Sequence, residues 1–419
     1  MLANLFERRL DIPIDSRLEE HDELLLLLQH LAEQLLARHA IPWWLPFRYD
    51  DSNDSSSIRP MDTRLILVEG CPGVGKSSTA QHLWRQLQRA GHTCRWYCED
   101  EQPHPVAPTK GIVRAKGFKE YGTAALRRWR DFASRARRSK EIVVMEGHFF
   151  QHLISPLLRA DVKPTRISKV VTRTAKFCAP LKPVMLYLHQ PDYAQALRRI
   201  LNKRGEQVEE QYIRQADASI YSRRRSLEGF DGLVQSWIDA REIMEQHLAE
   251  LDLPSLSIDS SSGDWEGTYQ RLGEFLSQPV EAPPPVKPAA LAEYAGTYTY
   301  QRNSTPRRTA GRSRFGPDVA RRVGGLPREV PLHLKQDIEF TIAVENGELV
   351  MRDYGWLWPK NELVPVERDV FDLRSWPFQL VFERDRSKAI VAASRRSETT
   401  RWQITGQRYP RVEGGSANS

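Results

Sequence analysis

Gly70-Cys71-Pro72-Gly73-Val74-Gly75-Lys76-Ser77 matches G-x-x-x-x-G-K-[ST] at every position. The short apolar run Leu65-Ile66-Leu67-Val68 precedes it, and a helix-forming stretch from Ser78 to Ala90 follows, so the motif lies in the strand, loop and helix context it requires. Glycines let backbone N–H groups curl around an anion, and the N-terminus of the following helix adds its positive dipole. The expected phosphate cradle is Gly70, Gly73, Val74, Gly75, Lys76, Ser77 and Ser78. Lys76 would neutralise the β and γ oxygens of ATP, and the Ser77 hydroxyl would ligate Mg²⁺.

A loop of this kind sits on a parallel sheet, and the chain around it alternates accordingly. Thr93 to Tyr97, Ile142 to Met145, Val184 to Leu188 and Ser255 to Ile258 read as further strands, with residues about 119 to 139 helical. The expected fold class is therefore α/β, a P-loop NTPase parallel sheet with helices on both faces. Leucines at helical spacing over residues 17 to 39 predict a helical N-terminal extension. It is broken by Ile41-Pro42-Trp43-Trp44-Leu45-Pro46-Phe47 and followed by the polar linker Asp50 to Ser57. Past the proline-rich spacer Gln278 to Pro288 the pattern becomes one of short strands: Tyr298 to Tyr300, Phe340 to Val344, Glu348 to Met351, Phe378 to Phe382 and Arg401 to Thr405. Asn346-Gly347 between two of these predicts a type I′ hairpin. The expected division is 1–60 helical extension and linker, 61–277 P-loop domain, 278–290 linker, and 291–413 a small antiparallel, barrel-like β domain.

At 419 residues the chain is long enough for two or three folded units, and its 40% apolar and 27% charged content is that of a globular protein. No segment reads as a signal peptide or reaches the ~20 apolar residues of a membrane span. The four cysteines form no disulfide framework, so a cytoplasmic location is expected. The net charge is +7, and residues 285–419 carry six of it, 22 Lys and Arg against 16 Asp and Glu. Much of that excess is the run Arg302, Arg307, Arg308, Arg312, Arg314, Arg321 and Arg322, opposed only by Asp318.

Three further places carry chemistry. The strand Ile142 to Met145 ends in Glu146, where a carboxylate would stand beside bound metal, so Ser77 and Glu146 form the expected metal pair. The strand ending at Cys98 runs into Glu99-Asp100-Glu101. An acid there opens onto the same crevice as the phosphates, and Glu99, nearest the strand end, is the candidate to take a proton from an attacking hydroxyl. The segment Pro191 to Glu206 is a helix ending in Lys203-Arg204-Gly205. It suits a mobile lid whose Arg198 and Arg204 stabilise a transferring phosphoryl group. Arg223, Arg224 and Arg225 form a second basic run that suits either the same closure or the surface.

Glu69 to Ala80 and Ala196 to Glu206 resemble the phosphate loop and lid of thymidylate kinases and their deoxynucleoside kinase relatives. Leu256-Ser257-Ile258-Asp259 with its following helix is similar to the end of that fold. The resemblance implies a kinase that uses Mg·ATP, and by analogy with the deoxynucleoside kinases it implies Glu99 as general base. Where thymidylate kinases place an Asp-Arg pair, this chain has Glu146-Gly147-His148-Phe149-Phe150-Gln151. The departure favours a hydroxyl acceptor over a nucleotide phosphate and makes His148 and Gln151 candidate acceptor contacts. Leu291 to Tyr298, with Glu348-Leu349-Val350 and Leu363-Val364-Pro365, loosely resembles the lipocalin-like module appended to serine β-lactamase-type hydrolases.

Two readings follow. In the first, the chain transfers the γ-phosphoryl group of Mg·ATP to a small-molecule or nucleotide-like acceptor. In the second, it is a nucleotide-gated binding protein whose basic C-terminal module engages nucleic acid or another acidic partner. The second needs aromatics interleaved with the arginines of 302–322, and Phe315 alone stands there. Nothing in the sequence sets an oligomeric state.

Overall fold

The computed structural model describes residues 62–99, 101, 104–108, 120–278, 291–300, 338–352, 360–396 and 408–412. All of them belong to one compact unit, Ile58–Ser419. The expected N-terminal helix, most of the proline-rich spacer, the basic 302–322 stretch and the expected strand Arg401 to Thr405 lie outside the described residues.

Five strands form the first sheet: β1 (Leu65–Glu69), β2 (Cys94–Tyr97), β3 (Ile142–Glu146), β4 (Val184–His189) and β5 (Ser255–Asp259). Their order is β2-β3-β1-β4-β5, and every pairing is parallel. β1, β3 and the first five residues of β4 are buried throughout. That is why they read as unbroken apolar runs: helices cover both faces, and neither side of the strand meets water. Because all five run the same way, the carboxyl ends of β1, β2 and β3 open on one edge, with β1 paired to β3 on one side and β4 on the other. The crossing of the chain from one side of β1 to the other creates the crevice there.

The helices are α1 (Lys76–Arg89), α2 (Tyr121–Ala136), α3 (Gln151–Arg159), α4 (Pro164–Cys178), α5 (Tyr193–Arg204), α6 (Glu206–Asp217), α7 (Ile220–Arg225), α8 (Gly229–Glu250) and α9 (Trp265–Leu276). α1 begins at Lys76, two residues earlier than expected. α3, α4 and α6 to α8 went unanticipated. α3 carries Pro156 in its interior, a residue that argues against a helix when read locally. None of the helices in the described residues is long and apolar enough to cross a membrane.

The second sheet is an eight-stranded antiparallel meander: β6 (Gly296–Tyr300), β7 (Ile338–Glu345), β8 (Glu348–Arg352), β9 (Lys360–Glu367), β10 (Val370–Leu373), β11 (Gln379–Arg384), β12 (Ile390–Arg396) and β13 (Arg408–Pro410). It nearly closes on itself. Tyr298 and Arg411 form a bridge between its two ends, and the Val412 N–H donates to the Thr297 carbonyl at 2.8 Å. Tyr294, Tyr298, Phe340, Phe371, Phe382 and Tyr409 fill the interior. The hairpin at Asn346-Gly347 has φ of 50° and 81°, the two left-handed residues of a type I′ turn. Strands β9, β10, β12 and β13 went unanticipated, the first three for identifiable reasons. β9 contains Pro365, the β9–β10 pairing slips register between Val370 and Phe371, and β12 carries Arg395 and Arg396, of which Arg395 is buried against the Phe378 ring.

Candidate active site

The loop from Gly70 to Gly75 leaves β1 and turns into α1. Gly75, which caps that helix, has φ 98°, and a Cβ there would stand 2.2 Å from the Trp265 ring at the start of α9. Both the backbone angle and the crowding demand glycine. Val74 is buried, and its carbonyl accepts the Ser260 hydroxyl at 2.9 Å. Helix α5 lies on the same loop: Ile200 and the Ala196 carbonyl would stand 3.1 and 3.4 Å from a Cβ at Gly73.

Lys76 is buried. Its Nζ donates to the Cys71 carbonyl at 3.1 Å and lies 3.9 Å from Glu99 Oε2. Ser77 Oγ donates to Glu146 Oε1, and the indole Nε1 of buried Trp96 donates to Glu146 Oε2 at 3.0 Å. Burial, reinforced by the charge of Glu99, pushes the Glu146 carboxyl up to about 8 against the opposing pull of Ser77, Lys76 and Trp96. A hydroxyl and a carboxylate in contact at a phosphate loop are hard oxygen donors that fit Mg²⁺. Among the described residues no group of three or more His, Cys, Asp or Glu is arranged to hold a metal. The ion would therefore take its remaining ligands from phosphate oxygens and water, as Mg²⁺ commonly does.

Glu99 follows β2. Its Oε1 accepts from Gln151 Nε2 at 2.8 Å and pairs with His152 Nε2 at 2.9 Å. Burial would raise its pKa, but His152, Lys76 and His148 together outweigh burial and hold the carboxyl well below the usual range. Of its acidic neighbours, Glu101 turns away to Arg95 Nη2 at 3.0 Å, and Asp100 lies outside the described residues. Gly147, at φ 67°, brings the end of β3 against this carboxylate: a Cβ there would stand 3.1 Å from Glu99 Oε2 and 3.5 Å from Lys76 Cε.

Two expected acceptor contacts, His148 and Gln151, do stand beside Glu99, and the fold adds His104 and His152. The rings of His104 and His148 stack at 3.6 Å, and those of His148 and His152 at 4.5 Å. His148 Nε2 lies 3.1 Å from the Glu99 carbonyl, and burial with the neighbouring His152 lowers His148 to about 3. Burial and the surrounding cations also keep His104 neutral. Because its Nδ1 accepts from the Val106 N–H at 3.3 Å, the neutral ring carries its proton on Nε2, which is buried without a partner. Gln151 Oε1 is likewise buried and unpartnered. A buried donor and a buried acceptor thus stand unsatisfied, the acceptor on the amide that bonds Glu99.

Glu69, the last residue of β1, is another residue sequence reasoning passed over. Its carboxylate accepts the N–H groups of Phe149 at 2.7 Å and Gln151 at 3.2 Å, capping α3 from a neighbouring strand, while burial pushes it up to about 7 against those bonds and Lys76. It fixes the segment that carries His148 and Gln151. An acid one residue ahead of the phosphate loop was the only available signal, and nothing local ties it to a helix 80 residues away.

The structure does not bring the two arginines expected in a lid, Arg198 and Arg204, to Lys76 and Glu99 in the same way. Arg198 Nη1 pairs with Glu209 at 2.5 Å and its guanidinium lies 3.5 Å from the Phe230 ring centre, while Arg204 Nη1 donates to the Tyr212 hydroxyl at 2.6 Å. Of the second basic run, Arg224 and Arg225 hold Asp161 in the turn between α3 and α4.

No family model matches the chain, and no curated protein matches it. Among solved structures, shikimate kinase from Acinetobacter baumannii in complex with shikimate is similar over 52% of this chain and 95% of that one, at 13% identity and a TM-score of 0.30. The parallel order β2-β3-β1-β4-β5, with the glycine loop leading from β1 into α1, defines the fold.

Proposed function

We propose that the chain is an ATP-dependent phosphotransferase of the small-molecule kinase type, carrying the γ-phosphoryl group of Mg·ATP to a hydroxyl acceptor. The observation that supports this best is the ionised Glu99 carboxylate, 3.9 Å from Lys76 at the mouth of a phosphate loop whose Ser77 contacts Glu146.

In this reading the loop N–H groups and Lys76 would hold the β and γ phosphates, and Ser77 and Glu146 would hold Mg²⁺, which would supply charge neutralisation. The reacting hydroxyl of the acceptor would donate to Glu99, and another polar group of the acceptor would meet the unpartnered Gln151 Oε1. The hydroxyl oxygen bonds to the γ phosphorus as the bridging P–O bond to ADP breaks, and its proton passes to Glu99. A neutral acceptor fits the neutral His104, His148 and Gln151, and Gly147 leaves no arginine where a thymidylate-type enzyme would grip substrate phosphate. The deoxynucleoside kinase side of the resemblance is therefore favoured. Arg198 and Arg204 would add positive charge if lid closure exchanged Glu209 and Tyr212 for phosphate. We assign the chemistry to a domain of residues 61–277, with a β domain of 291–413 joined to it at α1.

A screen of hydroxyl compounds with γ-labelled ATP tests the reading. Acceptor-dependent ADP formation is expected, with Lys76→Ala lowering turnover at least ~10³-fold while the protein stays folded. A folded Lys76→Ala protein with near-normal turnover would falsify the assignment. ATP binding without any acceptor-dependent turnover would favour the nucleotide-gated binding reading instead.

A further inference from the structure

Ser78, Gln81 and Arg85 are spaced three and four residues apart, so they share one side of α1. All three are engaged by the end of β10 and the turn that follows it. Gln81 Nε2 donates to the Leu373 and Trp376 carbonyls, both at 2.8 Å, and its Oε1 accepts the Ser375 N–H at 3.0 Å. The hydroxyls of Ser78 and Ser375 lie 2.7 Å apart. Arg85 grips the buried Asp372 with both arms of its fork, Nε to Oδ2 at 2.7 Å and Nη2 to Oδ1 at 2.5 Å, and Gln379 Nε2 donates to the same carboxylate at 3.0 Å.

This contact is built for direction rather than for bulk burial. A paired guanidinium and carboxylate, and one amide reading three backbone groups, fix relative orientation far more tightly than an apolar patch of the same size. The serine of the turn makes the same point. Ser375 has φ 68°, a left-handed conformation that glycine adopts without strain, yet the residue present is one whose hydroxyl reaches Ser78.

The position matters because of what α1 does. Its first turn contains Lys76 and Ser77, and phosphate binding depends on where its N-terminal N–H groups point. The parallel sheet holds α1 through Ala80, Leu83, Trp84 and Leu87, and α9 holds it through the stacked pair His82 and Tyr269 at 3.6 Å. The β10–β11 turn is a third support, attached one residue past Ser77.

We propose that the β module serves as a built-in positioning element for the phosphate loop, with Gln81, Asp372 and Ser375 as positioning residues that set the orientation of α1 and thereby nucleotide affinity. The inference rests on nucleotide binding at the loop, one part of the function proposed above, and not on phosphoryl transfer. Because coupling is reciprocal, Mg·ATP must in turn tighten the docking of the turn.

The test uses the full chain, with Mg·ATP affinity measured by calorimetry and amide hydrogen exchange followed at residues 373–378. In the parent protein, Mg·ATP should slow exchange at Ser375 and Trp376. Gln81→Met keeps the size of the side chain and removes its three bonds. It should raise the Mg·ATP Kd roughly 5- to 100-fold and abolish that slowing. Ser375→Gly relieves the backbone and removes the hydroxyl, so its thermal stability should be unchanged or higher while its Kd rises. A purely structural contact predicts the opposite pattern, with stability tracking the lost bonds and Kd unmoved. The proposal is overturned if Gln81→Met frees the turn, seen as fast exchange at Ser375, and still binds Mg·ATP with the parental Kd. It is equally overturned if Mg·ATP leaves exchange at the turn unchanged in the parent. Should the phosphotransferase reading fail instead, turnover would be missing in every variant and the Kd pattern would still hold.

Discussion

In the role proposed for it, Glu99 has to remain ionised, and its partners account for that. His152 and Lys76 hold it below the usual carboxylate range, so the basic form is populated throughout the neutral range and an acidic limb from this group falls below it. Glu99→Gln keeps the shape and removes the base. It should lower kcat by ~10²- to 10⁴-fold with little change in the KM for ATP, read from steady-state rates with both substrates varied. Normal acceptor turnover in that variant would move the base elsewhere and favour an acceptor that is already ionised. His82 offers a separate check on the electrostatics. Burial, with Arg89 and Arg374 nearby, lowers it to about 4, so the unfolded chain takes up a proton below about 6.5 that the folded protein refuses until about 4. Stability from this group is therefore lost as pH falls through that window. His82→Phe, which keeps a ring on Tyr269, should gain on the parent by about 1.4 kcal/mol per pH unit between 6.5 and 4. Denaturant midpoints at several pH values would show it, and a difference independent of pH would refute it.

Elements differ in how much of their cause is local. The Asn346-Gly347 hairpin is wholly local, because two adjacent left-handed residues between alternating strands leave one turn type available. Gly347→Ala has space for its methyl group but not the right φ, so it should cost about 1 kcal/mol. A lowered melting temperature with unchanged Mg·ATP affinity is the expected result, and a melting temperature equal to the parent's would mean that the turn relaxes. β1, β3 and β4 are legible for a related reason: burial on both faces writes itself into the sequence as an apolar run. β9 and β12 are not legible, since Pro365 and the arginine pair Arg395 and Arg396 contradict a strand until their neighbours are known. α3 depends on a cap from Glu69, which is supplied by another strand.

At the scale of the whole molecule, the parallel sheet delivers Glu69, Glu99 and Glu146 to one edge, and the turn at Gly147 brings His148 and Gln151 with them. By itself the sequence determined the glycine loop at Lys76 and Ser77 and the strand and helix around it, because every requirement of that turn falls within a few consecutive residues. It also marked Glu99 and Glu146, since a carboxylate at a strand end needs only the strand to be placed. What surrounds them was decided by tertiary structure alone. The stacking of His104 on His148, the Trp96 bond to Glu146, the Trp265 ring against Gly75 and the grip of Asp372 on Arg85 all join residues distant along the chain. Such pairings leave no periodicity or spacing to read. They arise when packing removes water and each buried polar group must find its partner in whatever the fold has brought near.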